Sequence, residues 1–563
     1  MFVIHFKCVY LCFSYHQGTG KIVALRLMGL SKMQHLGSEE FSKLPNLRFL
    51  ELEGGNLVGD FKNLLSELTW LSWKNCPSKL YATNLCLEKL AVLELLDTSI
   101  NEDWAGWGPC LVSENLKVIH IAFCPNLMRI PDLSKCKNLE RMVLHCCTTS
   151  LVIDGSISTL EQLQHLHIDG FFRGPDNGNL LAVPSALGGL RSLSRLELER
   201  MHVGELHYSV GEMTLLKYLS LQVCSLGKLP DSFGKLKSLL ELNLALTGIR
   251  ELPHSIGDLK MLTKMNLFMT PIKKLPDSIG GLESLIELRL VGTHITELPA
   301  CIGDLKRLEI LDASESNIRV LPKAIGMLEN LKALKVSSRR NQGYVTFPPT
   351  DLATLSQLQV LEIYVDPRSL IGLPSSLEDL TLHNLNLPME RLPFSNLTNL
   401  ARLSLENCCL REVEFEHVLG QQPEKLRILE VSSRDSLERL SVSTLKGLQM
   451  LTVFGCPGLM EIQGVEKLES LVSLRVGEGS RLRRLPDLSE LKKLQNLDLG
   501  QCPLLDLPAL RLPDMCYLHI YGCGNSSRFH GKYKDWKDSQ YRKNHLIFSC
   551  GWYSAAVLGI KQE

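Results

Sequence analysis

Three regularities of the sequence predict an α/β-type solenoid, a leucine-rich-repeat horseshoe with a concave parallel β-sheet and irregular or short helical convex arms. The first is a period of 23 residues between Leu190 and Val336. Leu190, Met213, Leu236, Leu259, Leu282, Leu305 and Leu328 form one column, and the columns three, six and eight residues further on are leucine except at Met265, Ala313 and Val336. Self-similarity at a fixed spacing of this size marks a coil that is stacked rather than a chain that is balled up. The second is the Leu-x-Leu alternation inside each unit, the mark of a short strand with one buried face. The third is punctuation. Most regular units carry Leu-Pro, as at Leu298–Pro299, and then Ile-Gly, as at Ile302–Gly303. Proline fixes φ and lacks a donor, so it is expected to start an extended return arm. Glycine is expected to permit the bend back to the next strand.

At 563 residues the chain would ordinarily hold several domains, but a solenoid grows by adding coils, so residues 17–523 are assigned to one stack of about 22 coils. Its strands begin near Val23, Leu47, Leu68, Leu90, Leu116, Leu139 and Leu163, continue through the regular coils, and resume near Leu358, Leu377, Leu400, Leu426, Leu448, Leu471, Leu494 and Met515. At about 4.8 Å per strand the sheet would run for roughly 100 Å. Glycine- and proline-rich stretches at 101–115 and 173–184 are expected insertions between coils, and 339–350 a surface loop. Residues 1–16 are apolar and fit no coil; Lys7 interrupts them and no small-residue cleavage site follows, so they are taken as a stub rather than a signal peptide. Gly18–Lys21 lacks the spacing of a phosphate-binding loop. Residues 524–563 form a basic, aromatic tail or cap outside the repeat.

Charge narrows the function classes. The 61 basic and 61 acidic residues cancel, which speaks against a nucleic-acid or anionic-membrane surface. No apolar run approaches the length of a membrane span. Eight of the 18 cysteines share one repeat phase: Cys76, Cys124, Cys147, Cys224, Cys408, Cys456, Cys502 and Cys523. Thr247, Thr270 and Thr293 hold that phase in the regular coils. The slot points inward, where a small polar side chain can bond backbone of the neighbouring coil. The cysteines lie about a coil apart without Cys-x-x-Cys pairs, so they are expected to be buried reduced thiols and not metal ligands. Many free thiols favour a reducing compartment, and a cytoplasmic or nuclear location is expected.

Several segments resemble the repeat region of plant intracellular immune receptors of the nucleotide-binding leucine-rich-repeat family, TIR-type branch. Gly18–Leu27 is similar to the junction entering the repeats, Leu44–Pro77 with its Trp70-Leu71-Ser72-Trp73 strand to the early repeats, and Leu127–Cys147 to a recurring segment of the branch. The likeness covers residues 17–523. It implies a protein-recognition surface for a pathogen effector, a host guardee or a signalling module. The TIR and nucleotide-binding domains of the family have no counterpart in this sequence, so none of their catalytic or nucleotide-binding residues carries over. No cofactor, no metal, no small-molecule substrate and no catalytic residue is expected, and the chain is taken as non-enzymatic. Two other classes stay open. One is an intracellular scaffold like the Ras-associated leucine-rich proteins, which binding to a small GTPase would favour. The other is an extracellular receptor ectodomain, which would be expected to carry paired cap cysteines and more glycosylation sites than the two sequons at Asn396 and Asn525.

The residue between the last two leucines of each strand points to the concave face. In the regular coils that column is Glu197, Ser220, Asn243, Asn266, Arg289, Asp312 and Lys335, flanked by Tyr218 and Phe268. Later coils offer rings and imidazoles: Tyr364, His383, Phe454, Tyr517, His519 and Tyr521. Aromatic and arginine side chains dominate binding hot spots, so Tyr218, Phe268, Arg289 and these six are the candidate protein-binding residues, with the later half favoured. His145, His165 and His167 are expected on different faces, without a carboxylate or cysteine to complete a site, and no nucleophile–base pair is evident.

Overall fold

The computed structural model describes residues 2–5, 21–31, 33–147, 155–170, 185–201, 203–337, 352–364, 372–383, 397–415, 425–433, 437–506, 510–513 and 516–523. The segments 173–184 and 339–350 and the tail 524–563 lie outside them. The chain divides into two compact units, residues 1–364 and 365–563.

Both units are parallel-β solenoids of the leucine-rich-repeat type. In the first, the strands run in register from Ala24–Met28 and Phe49–Glu53 to Ala333–Val336 and Val360–Tyr364, each beside the strand of the next coil. Phe2–His5, from the stretch left outside the repeats, is a strand paired with Ala24–Met28. In the second unit the ladder runs from Asp379–His383 to Tyr517–Tyr521. The period-2 alternation is visible in the burial: Leu288 and Leu290 are fully buried, while Arg289 between them is exposed. A buried leucine contributes about 1.5–3 kcal/mol. No coil can enclose its leucines alone, so the stack itself supplies the core.

The return arms differ from the expectation in two respects. The residues after Leu-Pro are not extended; they form 3-10 turns, among them Asp231–Lys235, His254–Asp258 and Ala300–Asp304. Proline stands just before each turn with φ near −70° (−72° at Pro230, −66° at Pro253), where its missing N–H costs nothing. The glycine closing each turn is required for close approach rather than for a bend. A Cβ built on Gly234 would lie 2.5 Å from the Ser255 carbonyl oxygen in the next coil's turn. Elsewhere the arms pair into small second sheets: His35–Gly37, Asn56–Asp60 and Tyr81–Thr83 in the first unit, and Glu412–Glu414, Arg439–Ser441 and Glu461–Gln463 in the second. In the latter set Val413, Leu440 and Ile462 are buried between polar neighbours, again with period 2.

The inward cysteine phase is buried throughout, from fully covered Cys124 and Cys502 to Cys523. Its bonding varies: Cys502 Sγ donates within its own coil to the Gly500 carbonyl at 3.3 Å. Cys224 Sγ donates to the Leu198 carbonyl of the neighbouring coil at 3.0 Å. The threonines turn back on their own coil: Thr247 to Leu244, Thr270 to Leu267 and Thr293 to Leu290, at 2.7–2.8 Å. In the early coils Trp73 Nε1 donates to Gly54, and the insertion at 101–115 folds over the core as Trp104 against Trp107, ring centroids 5.3 Å apart, followed by the helix Trp107–Leu111.

Candidate functional site

The outward face of the strands carries the candidate residues, and the two units present it differently. In the first unit the polar column is largely occupied with structural work. Asn243, Asn266 and Asp312 each accept a hydrogen bond from the backbone N–H two residues on, at 3.0–3.1 Å. Asn243 Nδ2 also donates to Gln222 Oε1 at 3.0 Å. Arg289 is paired with Glu287 of its own strand. Phe268 and Tyr364 are half-buried. Tyr218 is covered: the Arg195 guanidinium lies 3.7 Å above its ring.

Arg195 belongs to a polar cluster with three histidines that were expected on different faces. His165 and His167 are two residues apart on one strand with buried Leu166 between them, so they share a face. His145 joins that face, because Arg141–His145 pairs in register with His165–Asp169, setting His145 beside Asp169. Register with Arg195–Glu199 sets His167 beside Glu197. Glu197 accepts from His165 Nε2 at 2.9 Å and from Arg195 Nη2 at 2.6 Å, with His167 Nδ1 at 3.7 Å. Burial alone would raise the Glu197 carboxyl, but the bonds from His165 and Arg195 and the charges of His167 and Arg195 override it and hold the pKa at about 2. His167 is shifted down, first by burial.

Beside this network His145 Nδ1 is 2.7 Å from Asp169 Oδ2, and His145 Nε2 is 3.4 Å from Cys146 Sγ. Carboxylate and thiol partners therefore do complete an arrangement around a histidine, and a thiol–imidazole pair does exist, contrary to expectation. His145, Cys146 and Asp169 place ligand-type atoms within 4.8 Å of one another. Asp169 already holds Arg200 on both oxygens, and that fixed positive charge opposes a cation there.

In the second unit the aromatic candidates are more open. Phe454 and Tyr517 are 46% and 69% exposed. One register row reads Phe454, Gly477, Gly500, Tyr521 across adjacent strands. A Cβ on Gly477 would stand 2.5 Å from Phe454 Cδ2, and one on Gly500 would overlap the Tyr521 ring. The two glycines thus let both rings lie flat over neighbouring strands and form a shelf. One row over, His519 Nδ1 is 3.0 Å from Asp498 Oδ1, and its ring centroid is 5.4 Å from that of Tyr521. His383 Nδ1 is 3.2 Å from Glu406 Oε2.

An apolar void of about 10 Å³ lined by Leu50, Leu57, Leu71, Trp73 and Trp104 is water-sized. Among the described residues no helix is long and apolar enough to cross a membrane.

Comparison with known proteins bears on this geometry. A family model described as "Leucine-rich repeat region" matches residues 287–381. Among curated proteins, the Arabidopsis thaliana disease resistance protein RML1B is 31% identical over 162 residues, 27% of this chain and 15% of that protein. The disease resistance-like protein DSC2 of the same plant is 32% identical over 148 residues, 25% of this chain and 12% of its own length. The matches thus span under a sixth of those relatives. Among solved structures, the leucine-rich-repeat protein LIC12759 of Leptospira interrogans superposes with a TM-score of 0.51 at 21% identity, covering 83% of this chain and 98% of that one, a likeness of fold. The chain is a leucine-rich-repeat solenoid. Its repeats are related, at low identity and over part of their length, to those of plant disease-resistance proteins.

Proposed function

We propose that this solenoid is the recognition region of a plant immune receptor of the TIR-type nucleotide-binding leucine-rich-repeat family, acting in the cytoplasm or nucleus, and that it binds a protein: a pathogen effector, a host guardee or a signalling module. The observation that supports it best is the Phe454–Tyr521 shelf, with relatedness to disease-resistance repeats beside it. Desolvating two rings yields more binding energy than pairing exposed charges, worth about 0–1 kcal/mol per pair. A partner captured from infected plant tissue should lose more than about 1 kcal/mol of affinity on Phe454→Ala and on Tyr521→Ala. Lys264→Ala, on the exposed charged rim of the first unit, should change binding little. The reverse ranking by calorimetry sinks the assignment of the face.

The second reading is an extracellular receptor ectodomain, for which the sequence offers two sequons, at Asn396 and Asn525. Expression in plant cells separates the two. A glycosidase-sensitive mass shift at Asn396 or Asn525 supports the ectodomain; an unglycosylated, cytosolic product supports the immune-receptor reading.

A further inference from the structure

The residue that follows most strands of the sheet has a positive φ. Glycine, asparagine or aspartate suits that place, as at Gly54, Asn75 and Asp97. Three neighbouring coils instead put functional side chains there: Phe123, Cys146 and Arg200, at φ of 56°, 49° and 52°. Between the last two stands Gly170, where a Cβ would lie 2.5 Å from the Arg200 carbonyl oxygen. The absent side chain lets the guanidinium reach back across the coil. Arg200 Nε donates to Asp169 Oδ1 at 2.7 Å and Nη2 donates to Asp169 Oδ2. The almost fully buried carboxylate faces His145 Nδ1 at 2.7 Å, and His145 Nε2 faces Cys146 Sγ at 3.4 Å.

This chain of contacts fixes the protons. A carboxylate only accepts, so in the neutral imidazole the hydrogen sits on Nδ1 and is donated to Asp169. Nε2 is then a lone pair, and the Cys146 S–H donates to it. A nucleophile on a base that is itself oriented by a third, anchored group is the arrangement that activates a thiol. Burial first and Asp169 next push the Cys146 thiol up from its ordinary value, against the pull of Arg200. At rest the sulfur is therefore protonated, and its reaction needs the proton taken by His145 as the new bond forms. Both groups are open to solvent: the His145 side chain is 35% exposed and Cys146 is half-buried. The Phe123 ring, 49% exposed and edge-on to His145 at 5.3 Å, walls one side of the site with apolar surface. Adjacent Cys147 is buried and donates to the Ile121 carbonyl; Cys86 donates to the Glu88 carboxylate, which restrains it.

We propose that Cys146, His145 and Asp169 form a stoichiometric thiol-modification site that takes small disulfides. Cys146 sulfur attacks one sulfur of the disulfide while its proton passes to His145 Nε2. The new S–S bond forms as the old one breaks, and the departing thiolate recovers the proton from the imidazolium, leaving as a free thiol. Cysteine is oxidised, the small disulfide is reduced, and no further reagent is required.

The test uses the whole chain and 5,5′-dithiobis(2-nitrobenzoate) at neutral pH, with the modified cysteines located by mass spectrometry. Cys146 should react first, at least about ten-fold faster than the more exposed Cys409. His145→Asn, a surface change that leaves the coil packed, should slow Cys146 at least about ten-fold and leave Cys409 unchanged. Asp169→Asn, checked for folding by circular dichroism, should act in the same direction. The proposal is overturned if Cys146 reacts no faster than Cys409, or if His145→Asn leaves its rate unaltered. Zinc retained at one per chain and shielding Cys146 until chelated would also overturn it, in favour of a metal site.

Discussion

Gly234 decides how closely two coils approach, and Gly234→Ala tests that directly. It sits in the Asp231–Lys235 turn, and its missing Cβ leaves room for the next turn, His254–Asp258. An added methyl would lie 2.5 Å from Ser255 O, 2.7 Å from Ser255 Cβ and 3.1 Å from Ser255 C. Two of these are backbone atoms and none is the mobile end of a long side chain, so the neighbouring turn must shift. Overpacking of this kind costs about 1–3 kcal/mol. Reduced freedom of the unfolded chain returns about 0.4–1 kcal/mol. The net expectation is a loss of about 1–2 kcal/mol. Gly227→Ala is the control: Gly227 is exposed, has no positive φ, and its Cβ meets nothing within 4 Å. There only the unfolded-state gain applies. Urea titration followed by circular dichroism should give a lower midpoint at unchanged slope for Gly234→Ala and an unchanged or higher midpoint for Gly227→Ala. Equal midpoints for the two variants would refute the argument that close approach, rather than a bend, requires glycine in this turn.

Leu288→Ala removes a fully buried side chain from a regular coil and should cost about 2–5 kcal/mol in the same titration; a loss near zero would put the repeat phase in error. Cys224 and Cys456, buried and pushed up to about 12 chiefly by burial, should label slowly with iodoacetamide in the folded chain, and fast labelling would show that the inward slot opens. Glu197 has a folded pKa of about 2, below its unfolded value of about 4.3, so its ion pairs stabilise the fold above the unfolded value and that stability is lost as pH falls through the folded one. Between about pH 4 and 2 the wild type should therefore lose stability more steeply than Glu197→Gln, and parallel acid titrations of the two would show the carboxylate to be unperturbed.

The repeat columns were legible because each leucine has one job, filling the same place in every coil, so the 23-residue period maps onto stacking without knowledge of any partner. The strand starts expected from Leu47 to Met515 match the observed ladder, from Phe49–Glu53 to Tyr517–Tyr521. The roles of the punctuation residues were harder to read. Proline before a 3-10 turn and proline before an extended arm have the same φ, and a glycine needed for a close approach looks in sequence like one needed for a bend. Only the neighbouring Ser255 carbonyl distinguishes the two for Gly234.

The cluster around His145 was illegible for a different reason. Its residues come from coils of unequal length, so the 23-residue period sets Cys146, rather than His145, level with Asp169 and does not bring Arg200 to either. One part of the signal was nevertheless present: His165 and His167, two apart around a leucine, must share a strand face. The rest depends on register across two strand pairs and on a backbone place where φ is positive. That place seldom suits a side chain, and a cysteine there carries a conformational cost of order 1 kcal/mol. The same geometry that makes Cys146 an unfavourable choice for the fold sets its sulfur against an imidazole held by Asp169 and Arg200. In the second unit the corresponding place includes Gly455, Glu478, Gln501 and Gly522, and it is the residue before it, glycine at 477 and 500, that leaves room for the Phe454 and Tyr521 rings. The side chains carried at and just after the strand ends, rather than the leucines beneath, thus differentiate coils that are otherwise alike.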